Sequence, residues 1–247
     1  MAAPSSGAET GAGRSGGATA AVVSPVIRAV IGLGNPGSKY ALTRHNVGFM
    51  AAERLAERLG ASWSAKFNGL VARGRLGDRE LTLLQPQQFM NLSGIAAQAM
   101  AQFYGIKPAE ILVVHDDLDL PFGRIQIKVG GGHGGHNGLR SLQSQLGDSG
   151  FARVRIGIGR PEGGKGGEEA VSNWVLSPFT PLERAGLAEL LNRALAAIEE
   201  SVQKGAAAAM NAHNASPKPP KPPKPPREGG EKLVEPSGIP PKGPQVP

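Results

Sequence analysis

The sequence predicts an α/β fold, a single domain with a mixed, mostly parallel sheet and helices on both of its faces. Three observations lead there. Strand-like runs alternate with helical periods from Val26 onward. The run Ile111-Leu112-Val113-Val114 is wholly apolar, as a strand covered on both sides must be. Loops dense in Gly, Asn and His follow the strand ends, where open α/β sheets bind their ligands.

The elements read in order as follows. Val26–Leu33 is a strand. Phe49–Leu59 places Met50, Ala51, Leu55, Ala56 and Leu59 on one helical face and stops at Gly60. Leu70–Leu76 and Glu80–Leu84 form a hairpin around Gly77-Asp78. Ile95–Tyr104 is a helix halted by Gly105, and Arg124–Val129 alternates like an edge or antiparallel strand. Gly138–Leu146 is a short helix, Val154–Ile158 a strand, and Pro181–Lys204 a long closing helix. No internal repeat is present.

The 247 residues do not all belong to this core. Residues 1–25 are an Ala/Gly/Ser-rich extension, and residues 214–247 a Pro/Lys-rich tail with 12 of the 21 prolines. Neither buries enough apolar surface to offset its ordering entropy, so both are expected to be disordered around a domain at 26–213. The net charge is +7; the tail, with six Lys/Arg against three Glu, supplies +3 and leaves the core near +4. That mild bias suits a polyanionic partner. The absence of cysteine excludes a thiol nucleophile, disulfides and thiolate zinc sites. No apolar run approaches the roughly 18 residues of a membrane span. The N-terminal stretch lacks the apolar core of a secretory signal, so a cytoplasmic location is expected.

Four islands carry the chemistry. The first, GLGNPGSKYALTRHNVGF (Gly32–Phe49), puts an amide (Asn35), a ring (Tyr40) and a base (His45) in one loop after a strand. Its Gly32, Gly34 and Gly37 match the dinucleotide fingerprint, but no helical period begins until Val47. The acidic ribose ligand expected about 20 residues on would be Glu53, inside a helix. The second island, Phe89-Met90-Asn91-Leu92-Ser93-Gly94, offers Asn91 either as a helix N-cap or as a donor to an oxyanion. Phe89 and Met90 are core or pocket wall.

The third island, His115-Asp116-Asp117-Leu118-Asp119, offers a carboxylate that can orient a histidine. Calcium-loop spacing is lacking, and no metal or other cofactor is expected. Asp117 and Asp119 read as solvated loop charge. The fourth, GGGHGGHNG (Gly130–Gly138), is backbone able to approach a ligand closely, flanked by Lys128 and Arg140. His133 and His136 lie on it, away from a shared helical face.

These islands, with RVRIGIGRP at Arg153–Pro161, closely resemble the bacterial-type peptidyl-tRNA hydrolase family, in the family's order over roughly residues 27–205. The resemblance implies hydrolysis of the ester joining a peptide to the 3′ ribose of tRNA, which recycles tRNA from stalled ribosomes. It implies His45 as catalytic base, Asp116 as the carboxylate that keeps it basic, and Asn35 as reader of the peptide end. It sets Tyr40, Phe89, Asn91 and Asn137 around the substrate's 3′ end, and Lys128, Arg155 and, less surely aligned, Lys165 on tRNA phosphates. The implied partner is peptidyl-tRNA, met by a monomer. The residues make sense of that activity: an ester leaves far more readily than an amide, so water activated by an imidazole suffices. Asn91 is then the oxyanion donor, and Met90 stands beside it on the substrate. No G-x-S-x-G elbow occurs. A non-catalytic RNA-binding protein would not need His45 with Asp116. A dinucleotide-dependent oxidoreductase is the other rival.

Overall fold

The computed structural model describes residues 25–161 and 167–215. Both terminal extensions lie outside these, apart from a few flanking residues. At the centre of the sheet runs β1 (Ala29–Gly32), paired in parallel with β4 (Arg79–Pro86) on one side and β5 (Ile111–Asp117) on the other. Parallel β7 (Ala152–Gly157) and antiparallel β6 (Ile125–Val129) extend the sheet beyond β5. Beyond β4 lie β3 (Gly69–Leu76) and β2 (Ser64–Lys66), each antiparallel to its neighbour. The order is β2-β3-β4-β1-β5-β7-β6. All strands but β3 and β6 therefore point the same way.

Helix α1 (Val47–Arg58) follows β1, and α2 (Ser93–Tyr104) carries the chain from β4 back across β1 to β5. The chain thus leaves β1 and later passes it toward opposite sides of the sheet, which opens a crevice at the strands' carboxyl ends. α1 packs with the long α5 (Pro181–Lys204) on one face, where Val47, Ala51 and Leu55 meet Leu191, Ala194 and Ile198 in one apolar cluster. α2 packs with α3 (Asn137–Leu146) on the other face, over Ile31, Val113 and Leu142. Alternate residues of β1 feed the two clusters, Val30 one and Ile31 the other, as a strand's two-residue period requires.

The predicted elements are present within a few residues of their expected ends. Three short ones escaped the sequence: β2, α4 (Glu168–Val175) and α6 (Ala206–His213). Each buries too little for a pattern. β2 is exposed along its length, α4 buries only Val175 and α6 only Ala206 and Ala209. Among the described residues no helix is long and apolar enough to cross a membrane.

Two glycines bring the first helix onto the strand ends. A Cβ on Gly48 would stand 2.3 Å from the Val114 carbonyl oxygen and 2.5 Å from that of Leu33. One on Gly32 would stand 2.4 Å from the Gly48 oxygen. Only glycines permit this approach, and it sets the turn just before α1 beside the end of β5. The same contact accounts for the Gly32 of the dinucleotide-like pattern. Gly34 lies against the Phe49 ring and Gly37, at φ +103°, leads only into the three-residue 3₁₀ turn Ser38–Tyr40, so none of the three opens an α-helix.

Candidate active site

The turn Arg44–Asn46 is a short 3₁₀ helix, and all three of its residues are buried. Arg44 anchors it. Its guanidinium donates to Glu183 at 2.6 Å and to the Ser177 hydroxyl at 2.6 Å, and lies 3.7 Å over the Trp174 ring. Glu183 also closes the capping box of α5 with Thr180. Asn46 clamps the loop from the other side, accepting from the Asn35 amide N–H and donating to the Asn35 carbonyl, both at 2.9 Å. His45 between them has little freedom of its own.

His45 Nδ1 lies 2.9 and 3.0 Å from the two carboxylate oxygens of Asp116, at the end of β5. Nε2 makes no protein hydrogen bond among the described residues, and His45 lines a cleft of about 1090 Å³. A second imidazole reaches the same carboxylate: His136 Nε2 lies 3.0 Å from Asp116 Oδ1. His136 is the N-cap of α3, and its Nδ1 accepts from the Gly138 and Leu139 amides. An accepting Nδ1 leaves the proton on Nε2, so His136 donates to Asp116 as a neutral ring. Burial alone would raise the Asp116 pKa, but the two histidines outweigh it and hold the carboxyl well below its usual range.

His45, Asp116 and His136 are close enough to be considered as metal ligands. The His136 tautomer argues otherwise, because the nitrogen that would face the ion carries a proton. The donor set reads as a hydrogen-bonded carboxylate with two imidazoles. His115, next in the chain, is buried and donates from Nδ1 to the Asp116 carbonyl at 2.6 Å, while its Nε2 has no partner among the described residues. Burial lowers its pKa to about 3, so it stays neutral and does not compete for Asp116.

Around this floor the expected residues gather. Asn35 is buried, and its Oδ1 accepts from the Met90 amide at 2.8 Å. The amide NH₂ of Asn35 is thereby left as the donor that faces the cleft. Phe89, Met90, Asn91 and Asn137 line the cleft, and Tyr40 stands edge-on to Phe89 with ring centroids 6.4 Å apart. Asn91 is not an N-cap: Leu92 holds that position with no side-chain hydrogen bond, while Asn91 is exposed. Ser93 does not cap α2 either, because its hydroxyl donates back to the Met90 carbonyl.

The cations divide. Lys128 is exposed on β6 at the cleft wall. Arg155 lines the cleft but is already engaged by Asp117 at 2.7 Å and by Gln126. Asp117 is accordingly paired and largely buried rather than solvated, whereas Asp119, though it meets Arg160 at 2.6 Å, stays exposed loop charge. Arg153, unremarked in the sequence, donates to the Gly131 and Gly132 carbonyls and ties down the glycine loop. Lys165 lies outside the described residues.

Among known proteins, the peptidyl-tRNA hydrolase family model matches residues 29–221. A peptidyl-tRNA hydrolase from Mycobacterium tuberculosis is 51% identical over 184 residues, 74% of this chain and 94% of that one. One from Sorangium cellulosum is 48% identical over 183 residues, covering 74% and 81%. This chain belongs to the peptidyl-tRNA hydrolase family. The crystal structure of the Acinetobacter baumannii peptidyl-tRNA hydrolase superposes with a TM-score of 0.72 at 41% identity, over 76% of this chain and 95% of that one. Membership makes the protein a hydrolase. What the sequence left without a role in this peptidyl-tRNA hydrolase site is the support around it: Arg44, Asn46 and Arg153, with His115 and His136 named only as members of their islands. The cap position of His136 went unread because imidazole is an uncommon cap.

Proposed function

We propose that this hydrolase cleaves the ester between a peptide and the 3′ ribose of tRNA, using water activated by His45. The observation that carries the reading is His45, its Nδ1 proton shared with a buried carboxylate and its Nε2 open to the cleft. Nε2 takes a proton from water as the oxygen attacks the ester carbonyl carbon. Asp116 fixes the tautomer and stabilises the imidazolium that forms. The imidazolium then returns its proton to the departing 3′ oxygen, and peptide acid and free tRNA result. Asn91 donates to the oxyanion.

Asn35, its oxygen committed to Met90, presents N–H groups to the carbonyls of the peptide end. That donor favours an N-blocked chain over a free amino acid, whose ammonium it cannot pair. Tyr40, Phe89, Met90 and Asn137 pack around the 3′ nucleoside. Lys128 attracts the phosphates, with Arg155 and Lys165 as further candidates along the same path. The role that follows is recycling of tRNA from stalled ribosomes by a monomeric cytoplasmic enzyme. Purified protein releases N-acetyl-aminoacyl groups from tRNA on this account, and His45→Ala binds the same tRNA without releasing them. A His45→Ala enzyme with near-normal turnover would overturn it.

A further inference from the structure

The antiparallel pair β6–β7 sets three cations on one face of the sheet. In its register Lys128 stands directly opposite Arg153, and Gln126 opposite Arg155. Residues two apart on a strand share a face, so Lys128, Arg153 and Arg155 lie together. Like charges directly opposite one another destabilise a sheet. Each cation is accommodated differently. Arg155 meets the Asp117 carboxylate, and Lys128 has no partner among the described residues. Arg153 is 3% exposed and has no carboxylate among those residues either. Its guanidinium lies 4.9 Å from the Phe151 ring centroid and donates to two successive carbonyls, those of Gly131 and Gly132.

A buried cation held only by carbonyl oxygens and a ring is costly, so packing alone does not call for it. The residue type is also specific. The planar fork of an arginine spans two carbonyls, whereas a lysine is a single point charge. Gly131 takes φ +90°, which glycine adopts without strain, and its carbonyl also accepts from Gln143 of α3 at 2.8 Å. On its other side Gly131 meets Lys128. A Cβ built on Gly131 would stand 2.9 Å from Lys128 Cε and 3.0 Å from Nζ. The backbone that Arg153 fixes is therefore the surface against which the Lys128 side chain lies, at the wall of the cleft.

We infer that Arg153 is a positioning residue for Lys128: it holds the glycine loop at Gly131 and Gly132, and the loop holds the Lys128 ammonium where an RNA phosphate meets it. The inference rests on the reading of Lys128 as a phosphate contact. Arg153 itself, engaged by the loop, touches neither phosphate nor ester. The loop thus has two anchors with separate duties. His136 ties its far end to Asp116 and serves turnover, and Arg153 ties its near end beside Lys128 and serves affinity.

Arg153→Lys keeps the charge and loses the fork, so it separates positioning from plain attraction. On N-acetyl-aminoacyl-tRNA it raises KM about three-fold or more and flattens the salt dependence by about one charge, as loss of one phosphate contact does. Its kcat, and its rate on an N-acetyl-aminoacyl adenosine ester, stay native. Lys128→Gln behaves alike, and the double variant is no worse than Lys128→Gln alone. Gln143→Ala removes the second donor to Gly131 and leaves the buried cation in place. It gives a smaller rise in KM that vanishes in the Lys128→Gln background, and it carries the test if the unfolding temperature shows that Arg153→Lys does not fold. A native KM in both variants, additive losses with Lys128→Gln, or a fall in kcat on both esters would each overturn the inference. Binding of deacylated tRNA, followed by fluorescence, keeps it apart from the ester-hydrolase reading. If the native protein cleaves neither ester, that reading fails, and tRNA binding weakened non-additively by Arg153→Lys and Lys128→Gln still supports the inference. Binding indifferent to Lys128→Gln overturns it and leaves hydrolysis standing.

Discussion

On the floor of the cleft both oxygens of Asp116 are engaged, by His45 and His136, and the residues carrying those rings are themselves pinned by Arg44, Asn46 and the cap of α3. At the rim the side chains of Lys128, Arg140, Asn91 and Asn137 make no partner within the protein among the described residues, although all four line the cleft. The floor is organised before substrate arrives, and the rim keeps its donors for the substrate. A base must be held in one tautomer and one position to act on water, and that requires a rigid second layer. Groups that meet a flexible RNA strand gain by being unpaired, because no internal bond has to break first. Substitutions on the floor should therefore strike turnover, and those on the rim should strike affinity.

The largest effect is expected from His45→Ala: a loss of about 10² to 10⁴-fold in kcat, the usual contribution of a general base, with tRNA affinity retained. Single-turnover hydrolysis of N-acetyl-aminoacyl-tRNA beside a binding titration separates the two. A loss confined to KM would place His45 on the rim.

Arg44→Met comes next and tests whether the floor is held from outside. It leaves the Glu183 carboxylate only its bond from the Thr180 N–H and removes the cation over Trp174, for a stability loss of about 1.5–3 kcal/mol, the range for a hydrogen bond to a charged group. Urea unfolding reads this directly. A change under about 1 kcal/mol would mean the anchor is not needed.

His115 gives the floor a pH signature. Its folded pKa, about 3, lies below the unfolded value near 6.5, so the unfolded chain takes up the proton more readily. Stability is undiminished above pH 6.5 and is lost as pH falls from there toward 3. Asp116 acts in the same direction, its contribution present above its unfolded pKa and lost as pH falls through its lowered folded value. His115→Asn keeps a donor for the Asp116 carbonyl but does not titrate. Its acid-unfolding midpoint, followed by circular dichroism, should move to lower pH, and a midpoint that stays put would refute the assignment.

The smallest effect belongs to the rim. Lys128→Glu should raise KM for tRNA substrates, flatten the salt dependence by roughly one charge, and spare an N-acetyl-aminoacyl adenosine ester. Equal losses on both substrates would move Lys128 to the floor.

Much of this division was legible in the sequence, and the unread part has a physical pattern. His45, Asp116, Asn35 and Asn91 stand at strand ends or in polar loops where packing does not call for them, so their residue types could be read as chemistry. The long elements were legible because each buries a regular face. Arg44 and Asn46 were not, since their work depends on Ser177, Glu183 and a loop backbone far away in the chain or folded back on itself. Arg155 shows the opposite case. A cation in the right motif reads as a phosphate contact, whereas its bond to Asp117 appears only once β5 and β7 pair. The cap reading of Asn91 failed because a 3₁₀ turn precedes α2 and moves the cap position to Leu92.

The central claim is that Asp116 holds His45 as a base toward water, and the pH dependence of kcat/KM tests it most directly. In the native enzyme the rate on N-acetyl-aminoacyl-tRNA should rise with pH along a single base limb. In Asp116→Asn that limb should move to lower pH and its plateau should fall, because the imidazolium loses its carboxylate and the tautomer loses its guide. A variant with the native limb and plateau, or with the limb moved to higher pH, would contradict the account.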